Sequence, residues 1–563
     1  MTKYKIVFLL FIACIGKNLH AQQTYIHNGY KESWLLNRLE IKLQTHPKLN
    51  FSGIQPYNRQ WFTEALLLAD STKNKHRNCN CETFPTSAVD DYNITQQLQQ
   101  NRQFVPGLKP EQSKRQYTQL YATPQHLFEV NDKDFYLVVN PLINQSQGYE
   151  FGRSRRPFIN AKGVEIRGDI NKKVGFNATI VDVQARGAKY VRQFNDTFKA
   201  FPGAGFIKTF KVDGVDYFDA TGYVTFTAAK KINFQVGFDK NHFGNGIRSM
   251  ILSEFAPNYS FVKMNTNIWK LNYQVMWMQL TQTYVRTFDR LLPKKFAAFH
   301  HLSINATPWL NVGLFENIIY SRPNTIDLSY INPIIFFRSL EQQNGSPDNA
   351  LLGFDLKANI AKRGQAYMQF SLDEFNLTES RRYNKWWGNK FALQLGGKLI
   401  DAFEIKNLDL QAELNIARPF TYSHYDSSAN YAHYNQPLAH PLGSNFKELM
   451  MVARYQPYPK WYAEAKLMVW KQGLDSAGRN FGNNIFELYT NRPSEDNWYI
   501  GRGNRNIAFN ANFWLGYEIR SNLFLDANMI LRSTNNKARV GVPNTLVINI
   551  GVRLNMRKQD FDF

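Results

Sequence analysis

Residues 546–556 read Leu-Val-Ile-Asn-Ile-Gly-Val-Arg-Leu-Asn-Met. Leu546, Ile548, Ile550, Val552, Leu554 and Met556 fall on one face, and Asn549, Gly551, Arg553 and Asn555 on the other. A period of two is that of a β-strand with one apolar and one polar face.

The same alternation recurs in hairpins upstream. Val164, Ile166, Gly168 and Ile170 lead to Asn171-Lys172-Lys173, and Val174, Phe176, Ala178 and Ile180 return. Phe509, Ala511, Phe513, Leu515, Tyr517 and Ile519 run to Arg520-Ser521-Asn522, and Leu523, Leu525, Ala527, Met529 and Leu531 come back. Continuing this way gives about 18 strands. Short turns are expected near 171, 230, 267, 307, 363, 403, 458 and 521. Long loops are expected near 143–160, 183–217, 241–258, 283–295, 318–349, 375–389, 418–446, 472–506 and 533–543. Strict alternation of short and long connections is the habit of bacterial outer-membrane barrels, whose short turns face the periplasm. The predicted fold is therefore all-β, a transmembrane antiparallel β-barrel with both chain ends in the periplasm.

The remaining composition fits an exported barrel. Lys3 and Lys5, an apolar run over Ile6–Ile15 and Leu19-His20-Ala21 read as a signal peptide over residues 1–21. Phe11-Ile12-Ala13-Cys14 matches a lipidation box poorly. No later stretch holds 18 consecutive apolar residues, so no membrane-spanning helix is expected. Mean hydropathy is −0.44, because alternation hides the apolar half of each strand. Formal charge is +22, or +19 without the three lysines of the signal. For an exported barrel this points to anionic glycans and lipid phosphates, and no nucleic acid partner is expected.

Residues 22–131 have a different character and read as a small periplasmic helical region with a linker, the barrel occupying 132–563. Ser33–Lys42, capped by Ser33, Arg59–Asp70 and the Gln-rich Ser87–Phe104 show helical spacing. Cys79 and Cys81 stand one residue apart in a polar stretch. A local bridge, an intermolecular bridge and two incidental thiols are all open, and a metal site with His76 lacks a fourth ligand.

The polar strand faces carry both signs of charge, among them Arg167, Asp169, Lys263, Lys357, Glu413, Glu464, Lys466 and Glu518. Lipid would penalise a cation at mid-depth by roughly 2–4 kcal/mol, so these side chains are expected in a salt-bridged lumen. Mixed signs favour a closed barrel over an open pore.

The outer loops carry the excess charge. Five of them (143–160, 183–217, 283–296, 375–390 and 533–543) hold 19 Lys/Arg against 6 acids. Aromatic residues are interleaved, including Tyr190, Phe194, Phe198 and Phe201. Rings suit the apolar faces of sugars, and arginine suits uronate or phosphate. The candidate polysaccharide-binding residues are Arg153, Arg155, Arg156, Arg381, Arg382, Trp386, Trp387, Tyr425 and Tyr431. The competing reading is contact with lipopolysaccharide phosphates plus ordinary interface aromatics. His424, His433 and His440 with Asp426 admit a metal site or a polar loop packed into the barrel mouth. Asp475-Ser476-Ala477-Gly478 admits a calcium loop or a plain turn. No nucleophile elbow, phosphate loop or zinc-protease helix is present, so neither enzyme activity nor a cofactor is expected.

Three stretches carry a resemblance: Leu328-Ser329-Tyr330-Ile331-Asn332-Pro333, Asp348-Asn349-Ala350-Leu351-Leu352-Gly353-Phe354-Asp355, and Asn241–Ser249. Tyr422-Ser423-His424, Leu438-Ala439-His440 and Leu442-Gly443 add to it. Together they resemble the Wzi-like capsule-assembly family of outer-membrane barrels, and within it the gliding-motility RemB branch. The resemblance covers roughly residues 30–560. It implies an eighteen-stranded barrel with a periplasmic helical bundle and lectin-like anchoring of capsular polysaccharide. In the gliding branch it implies a part in motility or adhesion, with motility or secretion machinery as partners. It brings no catalytic residues. A diffusion channel and a structural component of a surface complex are the alternative functions. The final Phe563 is out of phase with the outward face, so the tail is expected to overshoot or bend after Met556.

Overall fold

The computed structural model describes residues 24–75, 86–111, 121, 123–229, 231–282, 291–322, 325–535 and 544–563. Residues 1–21, expected to be a signal peptide, lie outside them, as do His76, Cys79, Cys81 and the turn residue Lys230. Among the described residues, eighteen antiparallel strands close into one barrel. They are β1 Phe135–Glu150, β2 Phe158–Ile170, β3 Val174–Arg186, β4 Gly214–Ala229, β5 Ile232–Asp239 and β6 Tyr259–Ile268. Then come β7 Leu271–Thr281, β8 Lys294–Thr307, β9 Leu310–Tyr320, β10 Asn349–Ile360, β11 Gly364–Glu374 and β12 Lys390–Leu399. The last are β13 Leu408–Ala417, β14 Phe446–Tyr458, β15 Trp461–Leu474, β16 Asn504–Arg520, β17 Leu523–Thr534 and β18 Asn544–Leu554. β18 closes on β1, with Val547 opposite Glu150 and Leu554 opposite Ile143.

The expected alternation of connections holds, with local slips. The turn expected near 267 sits at Trp269-Lys270, because Asn267–Asn272 and Ile268–Leu271 still pair. Trp269 then takes a positive φ of 54° to reverse the chain. The loop expected over 143–160 narrows to 151–157, since Asn144–Gln147 continue the β1–β2 ladder. No membrane-spanning helix occurs among the described residues.

The two faces of the wall separate as alternation requires. Arg167, Asp169, Lys263, Lys357, Glu413, Lys466 and Glu518 are buried in the lumen, while Val224, Leu314, Leu449 and Ile550 are exposed outside. The lumen is filled, and its occupants enter from both ends.

At the short-turn end sit three helices, α1 Lys31–Leu43, α2 Arg59–Lys75 and α3 Ala88–Gln100. Leu35, Leu39, Phe62, Leu66, Ile94 and Leu98 form their shared core. Ser87 and Asp90 make a reciprocal capping box at the start of α3. Ser33 is not a cap: Tyr30 holds that position, and Ser33 Oγ donates back to Tyr30 O at 2.6 Å. The helix starts earlier because Glu32 suits the first turn and its dipole. The helices are bolted to the wall by ion pairs, Lys357–Glu40 at 2.5 Å, Lys31–Glu518 at 2.5 Å and Arg38–Asp401 at 2.9 Å.

From the long-loop end, residues 240–258 fold inward. His242 and Phe243 pair with Gln55 and Ile54, so this loop meets the helical region inside the barrel. Met250, Ile251 and Leu252 are fully enclosed. The third occupant is the tail. Asn555 adopts a φ of 53°, its N–H donating to Asn522 O at 3.1 Å, and the chain turns back up the lumen. Asp560 and Asp562 pair with Lys466 at 2.7 and 2.8 Å. The tail therefore bends as its phase implied. It does not stay at the short-turn end, as the expectation for that chain end had it. The buried lysine of β15 draws its carboxylates inward.

Candidate functional site

Helix α4, Lys189–Phe198, lies across the long-loop mouth between β3 and β4. Tyr190, Phe194 and Phe198 recur every four residues and form one aromatic stripe. Buried Glu150, at the end of β1, accepts the Lys189 N–H at 3.2 Å and places a carboxylate at the helix N-terminus. Lys199 ends the helix in the left-handed conformation at φ 54°.

Beneath the stripe is a cleft of about 260 Å³. Phe194 and Phe198 meet at 4.7 Å with tilted rings, Phe198 meets Phe486 at 5.8 Å, and Phe194 meets Phe563 at 4.8 Å. The Arg532 guanidinium lies 4.6 Å from the Tyr190 ring and 5.0 Å from the Trp470 ring. Asn483, Asn484, Asn506 and Gln472 bring amides to the same space. Rings, amides and one stacked guanidinium in a cleft of this size suit a sugar unit, including an acidic one. Basic and aromatic residues mark this loop in the sequence. The four-residue spacing of its rings is the signal that would have revealed the helix and the cleft.

The residues nominated from sequence do not converge on one site. Arg153, Arg155 and Arg156 stand on the β1–β2 loop. Arg155 pairs with Asp213, and the Arg156 guanidinium is 5.9 Å from the Tyr149 ring. Arg381 and Arg382 are exposed at the end of the short helix α5, Leu377–Arg381, between β11 and β12. Those loops are seven strands apart one way round the barrel and nine the other, so they stand on opposite rims. Trp386 is half-buried, and its carbonyl accepts from Arg418 at 3.1 Å. Trp387 is enclosed by Phe420 and Tyr489, donates to Glu495 at 2.8 Å and lies 4.1 Å from Arg492. Tyr425 is exposed and donates to Pro347 O at 3.2 Å. Tyr431 is fully buried, its hydroxyl on Ile251 O at 2.6 Å. Trp387 and Tyr431 thus build the mouth and offer no ring face to a ligand.

The histidines of residues 418–446 also separate. His440 bonds Glu448 at 2.8 Å, and His433 sits between the Thr281 N–H and the Asn258 carbonyl at 2.9 and 3.0 Å. The loop packs into the mouth. Asp475 accepts the Phe481 N–H inside a turn closed by a Ser476–Arg479 bridge.

Neither a family model nor a curated protein matches the chain. Among solved structures it is similar to Wzi of Escherichia coli, described as an outer membrane protein involved in group 1 capsule assembly and a carbohydrate-binding β-barrel. The TM-score is 0.57 at 10% identity, over 95% of this chain and 100% of that one. The chain has the fold of an outer-membrane β-barrel. OprD of Pseudomonas aeruginosa aligns at TM-score 0.40 and 12% identity, over 74% of this chain and 94% of that one. OccAB2 of Acinetobacter baumannii aligns at TM-score 0.40 and 8% identity, over 74% and 97%. At these identities the likeness concerns the fold.

Proposed function

We propose that this barrel binds and anchors capsular or exopolysaccharide at the cell surface, with the cleft beneath α4 as its principal site. The observation that carries this reading is the joining of Phe194, Phe198, Trp470 and Arg532 around one cavity at the long-loop end. By the usual orientation of bacterial barrels, that end faces outward and the α1–α3 region faces the periplasm. The carbohydrate binding printed for the Wzi structure agrees with this use of the fold. The basic rims at Arg155–Arg156 and Arg381–Arg382 extend the surface to a long acidic chain or to lipopolysaccharide phosphates. A role in gliding or adhesion, as in the RemB branch, follows if the anchored polymer bears force, with motility or secretion machinery as partner.

The test is binding of purified protein to the cell's own acidic glycan at low and high salt. Phe194→Ala with Phe198→Ala should weaken binding at both salts while the barrel stays folded. Unchanged binding in that variant would remove the cleft from the reading. Absence of binding by the unaltered protein at any salt would sink it entirely.

A further inference from the structure

On β7, β8 and β9 the cross-strand register fixes which side chains face outward. Lys263 of β6 is lumenal and stands opposite Met276, so the neighbouring Val262 and Trp277 face outward. Trp277 continues to Ala298 and Ile318, and Val275 continues to His300 and Glu316. A histidine–glutamate pair, Nδ1 to Oε1 at 3.0 Å, therefore stands on the lipid-facing side of the wall.

Residues 325–348 cover it. They include a one-turn segment, Leu328–Ile331, and a short helix, Phe337–Gln343. The Phe337 ring lies 3.9 Å from the His300 ring, and the Phe337 N–H donates to Glu316 Oε2 at 2.9 Å. Tyr330 packs on Tyr320 at 4.9 Å. The segment leaves and rejoins the rim through a clamp in which Arg322 grips both oxygens of Asp348 at 2.7 and 2.8 Å.

The segment reaches far down the wall. Tyr273 OH donates to Pro333 O at 2.5 Å, and Tyr273 is the third residue of β7 from its short-turn end. At about 2.5 Å of vertical rise per residue in a tilted strand, Tyr273 stands roughly 10 Å above exposed Trp269 in the turn. That depth falls within the roughly 25 Å apolar band of such barrels.

Hydrocarbon tolerates irregular backbone only when its polar groups are paired within the protein. Here Trp277 Nε1 donates to Tyr330 O at 3.0 Å, and Tyr273 caps Pro333 O. Asp327 takes the Ser329 N–H and Asn332 takes the Ile334 N–H, both at 3.0 Å. The opposite surface presents Leu328, Ile331, Ile334 and Phe336, with Ile334 85% and Leu328 79% exposed. This apolar surface continues the lipid-facing wall at Leu314.

We propose that residues 326–337 form a flap embedded in the membrane hydrocarbon against the outer wall, with Leu328, Ile331, Ile334 and Phe336 in contact with lipid acyl chains, while the polar run Ser339–Ser346 stays at the rim. The flap seals the His300–Glu316 pair from lipid and adds a lateral anchor to the barrel. It also gives a role to the Leu-Ser-Tyr-Ile-Asn-Pro stretch, which glycan binding leaves unused.

The test places nitroxide labels singly at Leu328, Ile334 and Phe336 in the full chain, with Cys79 and Cys81 changed to serine. The protein is reconstituted in phosphatidylcholine vesicles, and its folding is checked by heat-modifiable gel mobility. Labels at Leu314 and Arg381 serve as lipid and water references. Ile334 and Leu328 should match Leu314, with high oxygen access and low access to an aqueous nickel chelate. A match to Arg381 would overturn the flap's embedding. Spin–spin broadening that disappears on dilution with unlabelled protein would overturn the lipid assignment in favour of a second copy. A label shielded from both reagents without such broadening would show protein burial and overturn it as well.

Discussion

Arg248 and Asp562 are 314 residues apart in the chain, and their side chains meet at 3.1 Å inside the barrel. Arg248 belongs to the loop that enters from the long-loop end, and Asp562 to the tail that returns from the short-turn end. Burial alone would raise the Asp562 carboxyl, but Arg248 and Lys466 outweigh it and hold it well below the usual carboxylate range. The tail borders four cavities among the described residues: Phe563 the 260 Å³ cleft, Phe561 a space of about 90 Å³, and Lys558 and Arg557 spaces of about 160 and 140 Å³. Removing residues 557–563 should merge these spaces into a path along the lumen. In planar bilayers the unaltered protein should stay closed, and the truncated one should show discrete conductance steps. A truncated barrel that stays closed would mean that the inward loop and the helical region seal the lumen without the tail.

The two basic rims give a different test. Arg155–Arg156 and Arg381–Arg382 stand on opposite sides of the mouth, too far apart to share a partner group. Effects of independent sites add. Replacing either pair by alanine should weaken binding of a long acidic glycan by roughly fivefold, the scale of exposed ion pairs. The quadruple variant should show the product of the two effects, and the loss should shrink at high salt. A short oligosaccharide should be insensitive to both pairs. Equal sensitivity of short and long glycans would contradict binding along the rims.

How much of this was legible beforehand depends on the range of the interaction. The wall was readable because each strand repeats the same two-sided rule, so Leu546–Met556 predicts its neighbours without knowledge of distant contacts. The lumenal charges followed from the same rule: Lys466 and Glu518 had nowhere else to go. The individual pairings that fill the lumen were not readable. Nothing local in Arg248 announces Asp562, and nothing in Tyr431 announces Ile251. Tyr431 looked like a surface ring because its neighbours are polar, yet that polarity is spent on lumenal partners. His300 and Glu316 broke the alternation rule on the outer wall, and the reason, Phe337, lies in a different loop.

The attachment of the helical region can be weighed directly. Lys357 Nζ and Glu40 Oε1 are 2.5 Å apart, and both side chains are almost wholly buried. Removing one partner of such a pair strands a charge and costs about 3–5 kcal/mol, whereas removing both is far milder. Lys357→Met should therefore loosen α1, read as faster protease cleavage within residues 24–131 while heat-modifiable barrel mobility persists. Lys357→Met combined with Glu40→Gln should recover much of the protection. No recovery in the double variant would show that the lysine acts through packing and not through charge.

The inward packing of residues 418–446 should be sensitive to acid, and His433 sets the direction. Burial drives its pKa from 6.5 down to about 3. The Thr281 N–H points at Nδ1, so that nitrogen must accept, and Nε2–H donates to Asn258 O. A second proton on Nδ1 would face that N–H. The unfolded loop takes up a proton near pH 6.5 and the folded loop only near 3, so the unfolded form binds more protons between those values. Stability from this contact is fully present above pH 6.5 and is lost as pH falls toward 3. The melting temperature of the detergent-solubilised protein should drop across that window. His433→Gln, whose amide can accept from Thr281 and donate to Asn258 without titrating, should flatten part of the drop. His126, likewise lowered to about 3 by burial, accounts for a share that persists in the variant. An identical pH slope in His433→Gln and the unaltered protein would show that His433 is protonated as easily in place as in the unfolded chain.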